Sequence, residues 1–149
     1  TFNSFWICFI INIFKKMINK EIIRIASNTS NVGLNNKYSH KISLKNKICG
    51  DKITLELIVK KKKIISMKYE TESCIYCEAS ASLLSKKIKK LNVQTIKNDF
   101  IHLKKNLKNR EIKIPKKFSD FKKLFNSDNI NRYNCLFLPF DALIKALKL

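Results

Sequence analysis

Hydrophobic and polar residues alternate through the middle of the chain with two different periods. Ile53, Leu55, Leu57 and Val59 recur every second residue, and Ile65, Met67 and Tyr69 do so after Lys60 to Lys63. This is the period of a strand with one buried face, and the pair predicts a hairpin whose turn lacks the usual Gly or Asn and so leaves its register open. Ile42 and Leu44 alternate in the same way and predict a short first strand. After Cys74 the period lengthens. Cys77, Ala81, Leu84, Ile88 and Leu91 fall on one helical stripe, and Val93, Ile96, Phe100, Leu103 and Leu107 on a second.

The flanks are read from punctuation. Asn19 predicts a capped helix from about Lys20 to Ala26 with Ile22, Ile23 and Ile25 as its apolar residues, and Ser27 to Lys41 reads as a loop. His40 lies in that polar stretch and reads as a surface residue. Beyond Pro115, Phe118, Phe121 and Phe125 predict a third short helix, and Ser127 to Asn131 a polar loop. Pro139 suits the first turn of a final helix carrying Phe140, Leu143, Ile144, Leu147 and Leu149, which places Cys135 just ahead of that helix or in a turn leading into it.

Phe2 to Phe14 is apolar but too short to span a bilayer as a helix, and its basic residues follow the apolar run, the reverse of a signal peptide. With Met17 opening a plausible helix, residues 1–16, with Cys8, are expected to form an extension or a disordered N-terminal segment, and 17–149 the domain. A chain of 149 residues that is 45% apolar suits one domain with a real core. Five cysteines beside only two glycines do not resemble a secreted disulfide scaffold, and fit the reduced thiols of a cytoplasmic protein.

The net charge of +20 raises nucleic acid or an anionic membrane as partners. The charge is nearly all lysine, with arginine only at Arg24, Arg110 and Arg132. Arginine supplies the bidentate and stacking contacts that nucleic-acid readers favour, so a basic nucleic-acid-binding protein with a structural zinc is the weaker reading. The lysines of Lys60 to Lys63 and Lys86 to Lys90 read equally as a solvated face that steers acidic partners.

The chemistry concentrates in three places: Cys49-Gly50-Asp51, Cys74-Ile-Tyr-Cys77-Glu-Ala-Ser-Ala-Ser82, and Cys135 with Arg132 three residues before it. Gly50 lets the backbone turn sharply behind Cys49. Cys74 precedes a helix, where free N–H groups stabilise a thiolate, and Cys135 repeats that arrangement. Three thiolates and a carboxylate suit tetrahedral zinc or the iron of a nascent cluster. Cys77 has the spacing of a redox or zinc motif with Cys74, yet its place on the apolar stripe favours a small core residue over an auxiliary ligand.

These three segments together resemble the NifU N-terminal, or IscU-like, family of iron–sulfur cluster assembly scaffolds over about Met17 to Leu149. The long interval from Cys74 to Cys135, Asn134 in place of a histidine beside the third cysteine, and Arg132 make it similar to the SufU branch. Ser73 in place of a glycine before Cys74 and Lys47 in place of a proline before Cys49-Gly50-Asp51 are departures. The resemblance implies an α+β fold, a small antiparallel three-stranded sheet packed against several helices. It also implies Cys49, Asp51, Cys74 and Cys135 as the metal or cluster ligands, Cys135 as persulfide acceptor and Arg132 in support. The expected cargo is a transient iron–sulfur cluster, or else Zn2+; the expected partners are a cysteine desulfurase and apo iron–sulfur proteins.

Overall fold

The computed structural model describes Ile7, residues 19–109 and residues 113–149. The expectation for residues 1–16, Cys8 included, lies outside the described residues apart from Ile7. The three strands form as an antiparallel sheet in the order β1 (His40–Lys45), β2 (Lys52–Lys60), β3 (Lys63–Glu72). Ile53, Leu55 and Leu57 of β2 and Met67 and Tyr69 of β3 are fully buried on one face, as their alternation requires.

The hairpin differs from expectation near its tip. Leu57 pairs with Met67 and Ile58 with Ser66, but Val59 pairs with Ile64, so Ile65 is the extra residue of a bulge. The bulge reverses the side-chain alternation: Ile64 is fully buried and Ile65 is 46% exposed. A period-2 reading cannot see an inserted residue. Lys61 and Lys62 make the turn with φ of 48° and 60°, the left-handed pair that a two-residue hairpin demands, without the usual Asn-Gly.

The expected first helix, α1, spans Lys20–Ala26, and the Asn19 side chain accepts from the Glu21 and Ile22 amides. The next, α2 (Ile75–Lys87), is the axis of the molecule, packed against α1, against the sheet and against the last helix, α4 (Tyr133–Ala146). Cys77, Ala81, Leu84 and Ile88 are buried on the predicted stripe, but Ala79, Ser80, Ser82 and Ser85 are buried as well. Small side chains permit this approach from several sides, and each serine hydroxyl has a partner: Ser80 donates to the Leu136 carbonyl at 2.6 Å, Ser82 to that of Asn28 at 2.8 Å, and Ser85 to that of Ser82 at 2.9 Å.

Helix α3 (Val93–Lys108) buries Ile96, Phe100, Leu103 and Leu107 of the predicted stripe, with Val93 half-buried at its start. The segment Lys116–Lys123 is 3-10 rather than α-helical, broken at Phe118, and Ser127–Arg132 forms a 3-10 turn where a loop is expected. Phe118 and Phe121 are nevertheless buried, in an aromatic cluster with Phe100, Phe125, Phe137 and Phe140 whose tightest ring pair, Phe100 with Phe140, has centroids 4.5 Å apart. Helix α4 starts six residues earlier than Pro139 implies, so Cys135 lies inside its first turn and Pro139 in the helix interior. Pro139 has no N–H for the Cys135 carbonyl, a loss that the apolar burial of Leu136, Phe137, Leu138 and Phe140 outweighs.

Candidate metal centre

The loop between β1 and β2 brings the first thiol to the site. The Asn46 amide donates to the Asp51 carbonyl at 2.7 Å and the Gly50 amide to the Asn46 carbonyl at 2.9 Å, which closes the loop on itself with Gly50 at φ +78°. The Asn46 side chain accepts from the Ile48 amide at 2.8 Å and donates through Nδ2 to the Asn134 carbonyl at 3.3 Å. One residue thus shapes the Cys49 loop and ties it to the first turn of α4. Sequence reasoning passed over Asn46; an Asn three residues before a Cys-Gly turn is the signal that could have found it.

Cys74 is the N-cap residue of α2, and its backbone N–H donates to Asp51 Oδ1 at 3.1 Å. Asp51 is 8% exposed, and its other oxygen, Oδ2, is buried with no hydrogen-bond partner. Cys135 Sγ lies 3.8 Å from Cys49 Sγ, although 86 residues separate them in sequence. Ligand atoms of Cys49, Asp51 and Cys135 all fall within 4.8 Å of one another. The four described cysteines are free thiols.

Burial pushes the Cys135 thiol up well above its usual value, and hydrogen bonding and charge from Cys74 and then Cys49 add to the effect. The position in the first turn of α4 is expected to favour a thiolate, yet dehydration beside other thiols wins. A crowd of soft sulfur donors with a buried, unpartnered carboxylate oxygen is the donor chemistry of a site for a thiophilic cation, which would satisfy Oδ2 and favour ionisation of the thiols. The residues present fit such an ion.

Cys77 is fully buried in the core beneath this site. Its thiol is pushed up to about 12 by burial, against a hydrogen bond from Ser73 that lowers it, with further elevation from the charges of Asp51 and Cys74. Arg132 is exposed at the rim, its guanidinium 5.4 Å from the centroid of the Tyr76 ring in the first turn of α2. Glu78 braces the same turn, accepting from the Tyr69 hydroxyl at 3.3 Å and from Thr71 Oγ1. His40 lies in β1 with its ring beside the Ser39 hydroxyl, away from the thiols.

The family model of the NifU-like N-terminal domain matches residues 17–124. The chain belongs to this family. The segment matched to the NifU-like domain contains Cys49, Asp51 and Cys74 and ends before Cys135, which the tertiary fold brings to them. The N-terminal domain of a nitrogen-fixing NifU-like protein from Brucella abortus is similar in structure, with a TM-score of 0.78 at 19% identity over 91% of this chain and 94% of that one. A protein from Fervidobacterium islandicum AW-1, assigned as an iron–sulfur cluster assembly scaffold for the SUF system, gives a TM-score of 0.75 at 19% identity over 87% and 96%. At these identities the likeness is one of fold, the α+β arrangement expected from the sequence. No curated protein matches the chain. Among the described residues no helix is long and apolar enough to cross a membrane.

Proposed function

We propose that this NifU-like domain is an iron–sulfur cluster assembly scaffold that holds its cargo on Cys49, Asp51, Cys74 and Cys135. The observation that carries this is the convergence of Cys49, Asp51 and Cys135 on one point, with Oδ2 of Asp51 buried and unpartnered. Soft thiolates are the preferred donors for cluster iron, while a carboxylate oxygen holds iron less firmly than a fourth thiolate, which suits a site that must release what it carries.

Sulfur would come from a cysteine desulfurase. The Cys135 thiol gives up its proton as its sulfur attacks the outer sulfur of the donor's cysteine persulfide; the donor S–S bond breaks, the donor thiolate leaves and takes up a proton, and the persulfide resides on Cys135 with no net oxidation. Arg132, at the rim and stacked near Tyr76, supports the approach of the anionic donor. Two electrons per sulfur from a thiol reductant convert the persulfide's outer sulfur to cluster sulfide and return the Cys135 thiolate, and the completed cluster then passes to apo-proteins. Anaerobic protein supplied with desulfurase, cysteine, a dithiol reductant and ferrous iron is expected to gain iron and acid-labile sulfide with thiolate-to-iron charge-transfer bands, and to lose them in Cys74→Ala. A Cys135→Ala protein that assembles and transfers clusters at the wild-type rate would overturn the reading.

The same donor set supports a second reading, a zinc-dependent sulfur acceptor in which zinc holds the thiols until the desulfurase displaces one. Three sulfurs and one oxygen complete a tetrahedral zinc shell, and Asn134 beside Cys135 offers no imidazole as an alternative donor. One tightly held zinc that survives treatment with iron and desulfurase, together with faster desulfurase turnover, would select it.

A further inference from the structure

Cys74 and Cys77 occupy the N-cap and the third residue of α2, so one helix start carries two thiols. The two are unlike. Cys74 is half-buried on extended backbone, with φ of −70° and ψ of 164°, whereas Cys77 is fully buried. From an N-cap of this shape the side chain reaches toward the third helical residue, as capping side chains do. The charge of Cys74 bears on the Cys77 sulfur, to which Ser73 also hydrogen-bonds. An accessible thiol at a helix start, followed three residues on by a shielded one, is the arrangement of a dithiol that cycles between thiols and disulfide.

Cys74 also meets the donor set from the other side. Its sulfur is within hydrogen-bonding reach of Cys135. Yet it is not among the three residues, Cys49, Asp51 and Cys135, whose ligand atoms lie within 4.8 Å of one another. Cys74 therefore links Cys135, the sulfur acceptor of the scaffold reading, to Cys77, a thiol which that reading leaves unused.

We propose that Cys74 and Cys77 form an internal dithiol that reduces delivered sulfur to sulfide, a persulfide-reducing activity within the domain itself. It rests on the scaffold reading for the persulfide on Cys135. Cys74 gives up its proton as its sulfur attacks the outer sulfur of that persulfide; the Cys135 S–S bond breaks, Cys135 regains a proton, and the persulfide moves to Cys74 without net oxidation. The Cys77 sulfur then attacks the Cys74 sulfur, and the outer sulfur leaves as hydrosulfide with the electron pair of the broken bond. In net terms the two thiols lose two electrons and two protons to become a disulfide, and the sulfane sulfur gains them as hydrogen sulfide. An external dithiol reduces the Cys74–Cys77 disulfide by exchange and frees Cys74 to hold iron. Because Cys77 is enclosed in the core, the sulfur that reaches it is one already carried on Cys74.

The test gives the reduced, metal-free full chain, freed of small thiols under anaerobic conditions, an equimolar amount of glutathione persulfide. Trypsin leaves Cys74 and Cys77 together in the peptide 69–86, apart from Cys49 and Cys135. The wild type is expected to release about one sulfide per chain and to yield that peptide two hydrogens lighter and closed to alkylation. Cys77→Ala is expected to release on the order of tenfold less sulfide and to keep the extra sulfur on Cys74 or Cys135. Equal release from Cys77→Ala would overturn the proposal, as would a wild-type disulfide that joins the peptides of Cys49 and Cys135 instead. Glutathione disulfide in place of the persulfide is expected to close the same peptide, a readout that needs neither a sulfur acceptor nor the variant's folding. A wild type that closes it with neither reagent sinks the idea. Supplied with dithiothreitol, sulfide and ferrous iron, Cys77→Ala is expected to assemble cluster at the wild-type rate, so loss of internal reduction is read apart from loss of the scaffold site.

Discussion

The Cys74 amide holds Asp51 by one oxygen, Oδ1, and leaves the other buried without a partner. The carboxylate is therefore aimed by the start of α2 before any ligand arrives, and its contribution to a site is one weak, pre-positioned oxygen.

Replacing that oxygen by sulfur is expected to slow release. Asp51→Cys protein, once loaded with cluster, should transfer it to an apo-ferredoxin several-fold more slowly than wild type, because a fourth thiolate binds iron more firmly than a carboxylate. The Cys74 amide loses its acceptor, at a cost of about 1 kcal/mol in the stability of the domain. Circular dichroism of cluster transfer and urea unfolding of the apo-protein read the two effects separately.

Asn46→Ala tests the strap between the two halves of the site. It removes the acceptor of the Ile48 amide and the donor to the Asn134 carbonyl, both at exposed positions. Global stability should change by no more than about 1 kcal/mol. Metal affinity, measured by competition with a chromogenic chelator, should fall by about 10- to 100-fold, as it does when groups that orient ligands are lost.

Glu56 gives the fold an acid limit. It is 1% exposed, pairs with Lys41 at 3.0 Å and accepts from the Asn35 and Asn36 amides at 3.0 and 3.1 Å. Burial alone would raise its pKa, but the Lys41 and amide bonds prevail and the carboxyl sits below its usual value of 4.5. The unfolded chain then takes up the proton first, so the stabilisation is complete above 4.5 and is lost as pH falls through the lower folded value. Glu56→Gln should cost about 1–3 kcal/mol at neutral pH and flatten the acid limb of a urea-midpoint profile.

The hairpin tip carries removable strain. Lys61→Asn/Lys62→Gly places at φ of 48° and 60° the residues that adopt those angles freely. The urea midpoint should rise, at constant m-value, by an amount equivalent to about 1 kcal/mol.

What the sequence made legible was whatever local periodicity or a local cap encodes. Asn19 announces α1, Ile96 to Leu107 announce α3, and Cys77 to Ile88 announce α2, because each involves residues within a few turns of one another. Ile65 was misplaced because a bulge is decided by pairing with β2. Pro139 misled because a local penalty was outweighed by an aromatic cluster drawn from α3 and the 3-10 segment. Phe118 and Phe121 repeat at a spacing of three, which fits a 3-10 turn as well as an α-helix. The site residues were suggested by type and by resemblance, whereas Asn46, which straps loop to helix, acts through tertiary contacts alone.

The 3.8 Å approach of Cys49 to Cys135 spans 86 residues and depends on α4. During synthesis the first three donors emerge well before the fourth, and folding of the sheet and α2 leaves them as a loop and a helix start without their counterpart. The proposed donor set is thereby incomplete until α4 has left the ribosome and docked. A chain cut before Tyr133 would keep the sheet and α2 yet lack Cys135, so on the proposed four-donor site cargo retention would report on the docking of α4.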